Sequence, residues 1–293
     1  MQSITIRSMV RDDVGACMGL VRGAGWNQVP RDWERFIGYA PRGVFVAVSA
    51  NRQIVGTVTT TAYDAMAWIG MMLVDPHFRR QGIATRLLKH AIAHLQSTGI
   101  GCIKLDATPA GEPVYERLGF IVEWSFQRWQ RLSAAEAERG PNDRATGSAG
   151  ISSRGRGVEQ HNARANRFAL SAELDRSAFG DSRQKWLELL ASDSKALGGP
   201  AGFAMLRGGR VADYLGPVSA VGQTEASQMI GQLLGETSRS VLWDVPGPNA
   251  AATELATELG FAPIRQLTRM YLGALIEPRA IAHQYAMADP ATG

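Results

Sequence analysis

The sequence predicts a mixed α/β sheet fold, of α/β or α+β type, built twice in tandem along 293 residues. Three observations point there. β-rich runs alternate with amphipathic helical segments, the pattern of a sheet covered by helices. The length suits two domains, each large enough to bury a core. And Leu118-Gly119-Phe120 recurs as Leu259-Gly260-Phe261, an offset of 141 residues. At the same offset Arg128 falls on Arg269 and Pro76 on Pro217. The runs before the triplets match in type, Ile103-Lys104-Leu105-Asp106-Ala107 against Val241-Leu242-Trp243-Asp244-Val245, once three residues are inserted.

In the first copy the elements follow in order. Residues 4–7 read as a strand, and 12–22 as a helix opened by acidic residues. A second helix is expected over 30–37, since proline suits the first helical position. Residues 44–49 and 54–61 are β-rich runs separated by Asn51-Arg52, a hairpin signal. Residues 68–74 form the next strand. Over 84–96, Leu87, Leu88, Ala91, Ile92 and Leu95 recur at helical spacing. Residues 102–107 read as a buried strand, 113–118 as a short helix, and 120–131 as a final strand.

Composition narrows the class. The chain is 45% hydrophobic and 20% charged, which excludes a wholly disordered protein. A net charge of +4 is too small to announce a polyanion binder. Only four lysines occur, so the basic character comes from arginine. Cys17 and Cys102 lie far apart with no metal spacing. That argues against a disulfide scaffold and against a metal site, and suits a reducing, cytoplasmic setting. No signal peptide is visible, and no apolar run approaches a membrane span. Residues 133–166 hold five arginines and four acids, with Ile151 and Val158 as their large aliphatics. They read as a flexible linker. The run Ser152–Gly157 has an arginine–glycine character, but the charges nearly cancel, so a soluble tether is preferred to nucleic-acid binding. The expected organisation is a first domain over 1–132, the linker, a second domain over 167–276 and a tail over 277–293.

The chemistry concentrates where strand 68–74 runs through Asp75-Pro76-His77-Phe78 into Arg79-Arg80-Gln81-Gly82-Ile83-Ala84 and a helix. The first N–H groups of a helix lack internal partners and face the positive end of its dipole. They can hold a pyrophosphate where side chains are small enough for close approach. Gly82 and Ala84 meet that need, and Arg79 and Arg80 add positive charge.

The stretch Leu73 to Leu88, followed by Leu105-Asp106-Ala107-Thr108-Pro109 and Pro113-Val114-Tyr115-Glu116-Arg117-Leu118-Gly119-Phe120, resembles the GNAT superfamily of N-acetyltransferases. The resemblance covers about residues 4–131. Gly25-Trp26-Asn27-Gln28, Ala178-Phe179-Gly180, Arg183 and Tyr214-Leu215-Gly216-Pro217 resemble a two-domain branch with a second GNAT-like domain. The resemblance implies acetyl-CoA as co-substrate. It implies that the main chain of Arg80, Gln81, Gly82, Ile83, Ala84 and Thr85, with Arg79 alongside, binds the coenzyme A pyrophosphate. It implies that Met72, Leu73 and Val74 bond the pantetheine arm. Tyr115 matches the family tyrosine that protonates the departing thiolate, a task suited to a neutral phenol. Its alternative is an ordinary amphipathic tyrosine. Trp26, Asn27 and Gln28 fall where the family places its acceptor loop, with Trp33, Tyr63 and Trp68 as candidate walls. Asp106 either binds or deprotonates the amine, or is a carboxylate satisfied by neighbouring N–H groups. His77 suits a surface or charge-tuning role.

The second copy departs from the pattern. At the 141-residue offset Tyr115 becomes Ala256, Gly82 becomes Gln223, Ala84 becomes Glu225 and Arg79 becomes Ala220. A carboxylate beside a phosphate site is repulsive, so this copy is expected to be degenerate. Asp175, Arg183, Asp213 and Asp244 are its candidate polar contacts. The expected reaction is direct attack by a small-molecule or protein amine on the thioester, the small amine being the favoured partner. A homodimer is left open. The alternative of another class is an acyl-CoA sensor without turnover, which would have no need of Tyr115.

Overall fold

The computed structural model describes residues 3–138 and 171–293, so most of the expected linker lies outside the described residues. The chain divides into two compact units. One comprises Met1–Ser125, Leu267–Glu277 and Asp289–Gly293; the other comprises Phe126–Gln266 and Pro278–Ala288. This division departs from the boundaries expected at 132, 167 and 277, because the last strand after each Leu-Gly-Phe triplet leaves its own copy.

In the first unit β1 (Ile4–Ser8), β2 (Val44–Ser49), β3 (Ile54–Ala62) and β4 (Met66–Val74) form an antiparallel meander. Helices α1 (Val14–Gly23) and α2 (Pro30–Tyr39) connect β1 to β2. Asp13 accepts from the Val10 N–H and binds Arg7 through both oxygens, which fixes the entry to α1. Asp32 accepts from the Val29 N–H and Pro30 opens α2, as the sequence indicated. Helix α3 (Ile83–Ser97) buries Ile83, Leu87, Leu88, Ala91 and Leu95 on one face. That face packs on the sheet with Ile69, Ile103, Leu105 and Phe120 to form the core. Helices α1 and α2 lie against β3 and β4 without joining that core, on the sheet's other face.

Strand β5 (Cys102–Ala107) pairs in parallel with β4, and its other edge takes the end of β11 (Ala262–Gly273), from Thr268 to Gly273. β11 follows the second Leu-Gly-Phe triplet, yet that part of it completes the first unit.

The second unit repeats the plan. Helices α6 (Ala172–Phe179) and α7 (Gln184–Ala191) precede β7 (Lys195–Gly199), β8 (Gly202–Arg207) and β9 (Asp213–Ala220). Helix α8 (Gln223–Leu234), β10 (Val241–Val245) and α9 (Ala250–Glu258) follow. Strand β10 takes its antiparallel neighbour from β6 (Ile121–Arg131), through Gln127–Arg131. Short helices α4 (Glu112–Glu116) and α5 (Ala134–Ala137) flank β6, and Ser133 caps α5 by accepting from the Glu136 N–H. A short β12 (Gln284–Ala286) pairs with β9. Among the described residues no helix is long and apolar enough to cross a membrane.

Candidate active site

The site of the first unit is built where β4 leaves β5. Their ladder holds only Met66 to Cys102, Ala67 to Ile103 and Trp68 to Lys104. Beyond Trp68 the two strands splay, which leaves the β5-side edge of β4 free to bond a ligand. A bulge marks the split. Thr57 faces Leu73 and Thr59 faces Gly70, so Met71 and Met72 together oppose Val58. Met71 takes a left-handed φ of 49°, and its carbonyl accepts from the buried Thr57 hydroxyl at 2.7 Å. These contacts present Met72, Leu73 and Val74, the predicted arm-binding residues, along the free edge.

The edge runs into the predicted phosphate loop. Asp75 accepts from the His77 N–H at 2.9 Å and starts a 3₁₀ turn over Pro76–Phe78. Arg80 (φ 62°) and Gly82 (φ 76°) both adopt left-handed conformations, and Gly82 is the residue before α3. A Cβ at Gly82 would meet nothing within 4 Å, so the approach to the helix start is open. The first-turn N–H groups of Ile83, Ala84 and Thr85 have no carbonyl of their own helix to bond. Arg79, Arg80 and Gln81 are exposed around them. A cavity of about 610 Å³ reaches this stretch from the α1 side, lined among others by Arg7, Arg52, Leu73, Val74, His77 and Arg79.

Tyr115 lies in α4, on the core side of β5. Its ring meets Phe120 edge-on, with centroids 6.1 Å apart. Gly111 makes room for it, since a Cβ there would sit 3.0 Å from the tyrosine ring. Among the described residues its hydroxyl has no hydrogen-bond partner, and burial pushes its pKa up to about 12. The phenol is therefore a proton donor throughout the neutral range.

The same region of the second unit is closed. Strands β9 and β10 also pair in parallel over only three positions, Asp213 to Leu215 against Val241 to Trp243. Beyond them β12 takes the place next to β9, with Ala286 facing Val218 and Gln284 facing Ser219. Trp243 Nε1 donates to the Tyr285 carbonyl, and Asn249 Nδ2 to the carbonyls of Ala282 and Gln284. A Cβ on Gly216 would lie 2.0 Å from the Met287 carbonyl, so glycine is what lets the chain approach. At the start of α8, Gly222 is extended and Glu225 Oε2 would lie 3.0 Å from a Cβ on it. A carboxylate covers the position that an anion would need.

Two family profiles match the chain: the Acetyltransferase (GNAT) family over residues 10–120, and an Acetyltransferase (GNAT) domain over 171–286. The chain belongs to the GNAT acetyltransferases, with two GNAT domains in tandem. No curated protein matches it in sequence. A candidate acetyltransferase from Pyrococcus horikoshii is similar in fold, with TM-score 0.79, 22% identity, and coverage of 100% of this chain and 97% of that one. A tandem GNAT protein from the clavulanic acid biosynthesis pathway has TM-score 0.63 and 16% identity, covering 94% and 100%. A GCN5-related N-acetyltransferase from Sphaerobacter thermophilus has TM-score 0.61 and 14% identity, covering 92% and 95%.

Within this GNAT fold the other predicted residues have definite places. Asp106 is satisfied, with a guanidinium as a partner. Arg269 Nε and Nη2 donate to its two oxygens at 2.8 and 2.9 Å. The Arg269 guanidinium lies between the rings of Trp68 and Trp124, 4.5 and 4.3 Å from their centroids. Trp26, Asn27 and Gln28 form the α1–α2 connection; Asn27 is buried, and the Gln28 Oε1 is buried without a partner. His77 is exposed. In the second unit Asp244 binds Arg128 through both oxygens and accepts from the Tyr214 hydroxyl. Asp175 is paired with Arg183, and Asp213 with Arg239. Sequence reasoning missed that Asp289–Gly293 joins the first unit.

Proposed function

We propose that the first unit is an acetyl-CoA-dependent N-acetyltransferase acting on an amine, in the first place a small-molecule amine. The observation that carries this reading is the splay of β4 from β5, which leads without interruption into the open start of α3. The free β4 edge offers main-chain bonds to an amide-containing arm, and the helix start with Arg79 and Arg80 suits a pyrophosphate. When bound, the coenzyme would supply an activated acetyl carbonyl.

The chain's own part in the reaction follows from its residues. The N–H groups from Arg80 to Thr85 hold the phosphates, and Met72 to Val74 orient the arm in the split. Tyr115 would supply the phenolic proton to the departing thiolate. A phenol near pKa 12 transfers its proton uphill to a thiolate whose reference pKa is about 8.5. Its contribution is therefore mainly a hydrogen bond that strengthens as negative charge grows. Direct attack by the amine fits the cysteines: both are buried, and burial pushes the Cys17 thiol up to about 12. A thiol that seldom ionises is a poor acyl carrier. The second unit is read as a degenerate copy whose cleft its own β12 has taken.

Thiol release from acetyl-CoA in the presence of an amine panel tests this. Amine-dependent release supports the enzyme. Tight coenzyme binding with no release on any amine would favour the sensor reading instead.

A further inference from the structure

One side chain ties down the bulge in β4. Leu73 stands opposite Thr57 and Gly70 opposite Thr59, so the ladder passes over Met71 and Met72. A bulge residue loses its place in the ladder, and a buried carbonyl there needs another donor. The fully buried Thr57 hydroxyl supplies one to the Met71 carbonyl at 2.7 Å. Met71 keeps a left-handed φ of 49°, a conformation that a residue with a Cβ resists. Without the Thr57 bond, this strained peptide would be free to turn.

The direction of that bond fixes the direction of another. In a trans peptide the C=O and the N–H that follows it point opposite ways. The Met71 carbonyl points toward Thr57 on β3, so the Met72 N–H points away from β3. The register agrees. The Asp75 N–H donates to the Val55 carbonyl at 2.9 Å, which sets Asp75, and two residues earlier Leu73, in bonding positions toward β3. Met72 alternates with them and faces the edge that β5 has left, since the β4–β5 ladder ends at Trp68. Such an N–H is a donor already aimed before any ligand arrives.

We propose that Thr57 is a positioning residue of the acetyl transfer: by holding the Met71 carbonyl, it aims the Met72 N–H at the acyl carbonyl oxygen. This rests on the reading of the first unit as an acetyltransferase. As the amine nitrogen bonds to the acyl carbon, the oxygen gains negative charge. A fixed N–H stabilises that charge more than it stabilises the neutral carbonyl. The charge returns as the C–S bond breaks; the amine gives up its proton to water, and the leaving thiolate, bonded by Tyr115, takes one in turn. Thr57 touches none of these atoms. Its loss therefore falls on kcat rather than on coenzyme binding, which the start of α3 still secures.

The test uses the full chain with Thr57→Val, which keeps the shape and removes the donor, and Thr57→Ser, which keeps the donor. In thiol release with the amine panel, kcat should fall about tenfold to hundredfold in Thr57→Val and stay within about threefold of the parent in Thr57→Ser. Acetyl-CoA affinity by calorimetry should stay within about threefold in both. A second readout needs no turnover. In NMR of the chain with isotope-labelled methionine, the Met72 amide proton should move further downfield with acetyl-CoA than with coenzyme A, which lacks the acyl carbonyl. That difference should vanish in Thr57→Val. Unchanged kcat in Thr57→Val, equal losses in the two variants, or a Met72 signal that does not distinguish the two coenzymes overturns the proposal. The Met72 signal is read on the parent, so it decides even where Thr57→Val fails to fold. No thiol release by the parent on any amine overturns the acetyltransferase reading instead.

Discussion

Asp106 and Arg269, 163 residues apart in sequence, form a two-point ion pair with N···O distances of 2.8 and 2.9 Å. Asp244 and Arg128 repeat it in the second unit at 2.6 and 2.7 Å. In each case the aspartate stands on the inner strand of one sequence copy and the arginine on the last strand of the other. The pair thus locks an exchanged strand onto the sheet it completes. Flanking aromatic rings, Trp68 and Trp124 around Arg269 and Tyr214 near Arg128, hold the guanidinium in place.

Breaking one side of such a pair strands a buried charge. Asp106→Leu or Arg269→Met should each destabilise the protein by about 3–5 kcal/mol in urea unfolding. The double variant Asp106→Leu with Arg269→Met should lose less than either single change. A double loss equal to the sum of the singles would contradict an ion-pair origin.

Tyr115→Phe should lower kcat by about 10²-fold or more, with acetyl-CoA affinity little changed. Unchanged turnover would remove Tyr115 from the reaction. The same substitution has a signature in stability. The folded pKa is about 12 against an ordinary 10.0, so the unfolded chain ionises first as pH rises. Tyr115 therefore costs no stability below about pH 10 and an increasing amount as pH climbs toward 12. The phenylalanine variant should show a shallower loss over that window.

Gly111→Ala tests the positioning of that phenol. The new methyl would crowd the ring at 3.0 Å, so kcat should fall while coenzyme binding holds. Parallel losses in both would mean that α4 itself had been disrupted.

Gly216→Ala addresses the closed cleft. A methyl 2.0 Å from the Met287 carbonyl must push β12 off β9 or distort both. Destabilisation of about 1–3 kcal/mol or more is expected from thermal unfolding. A neutral effect would show that β12 is not held where the structure places it.

Much of this was legible in the sequence, because the signals were local. Residues 44–49 and 102–107 were read to the residue, and α3 from its apolar spacing, since periodicity reports which face is buried. The turn at Gly82 was legible because a glycine stands between a β-rich run and the apolar repeat of α3. The partners of the last strands were not, because a strand's own pattern says nothing about which neighbour it takes. β6 and β11 share only Arg128 and Arg269 at the repeat offset, and each pairs with the inner strand of the other copy. The 141-residue repeat exposed Arg128 and Arg269 as equivalent without showing that each serves the other copy's aspartate. Residues 277–293 read as a tail because they are short and weakly patterned. Their packing depends on gaps left by glycine at 70 and 216, far along the chain from the segment that fills them.

Titration of the full chain with acetyl-CoA by calorimetry tests the division of labour most directly, read alongside the Gly82→Glu variant. One coenzyme per chain is expected, with binding abolished by the glutamate at the α3 start while the protein stays folded by circular dichroism. Two equivalents per chain, or affinity retained in Gly82→Glu, would contradict a single site in the first unit.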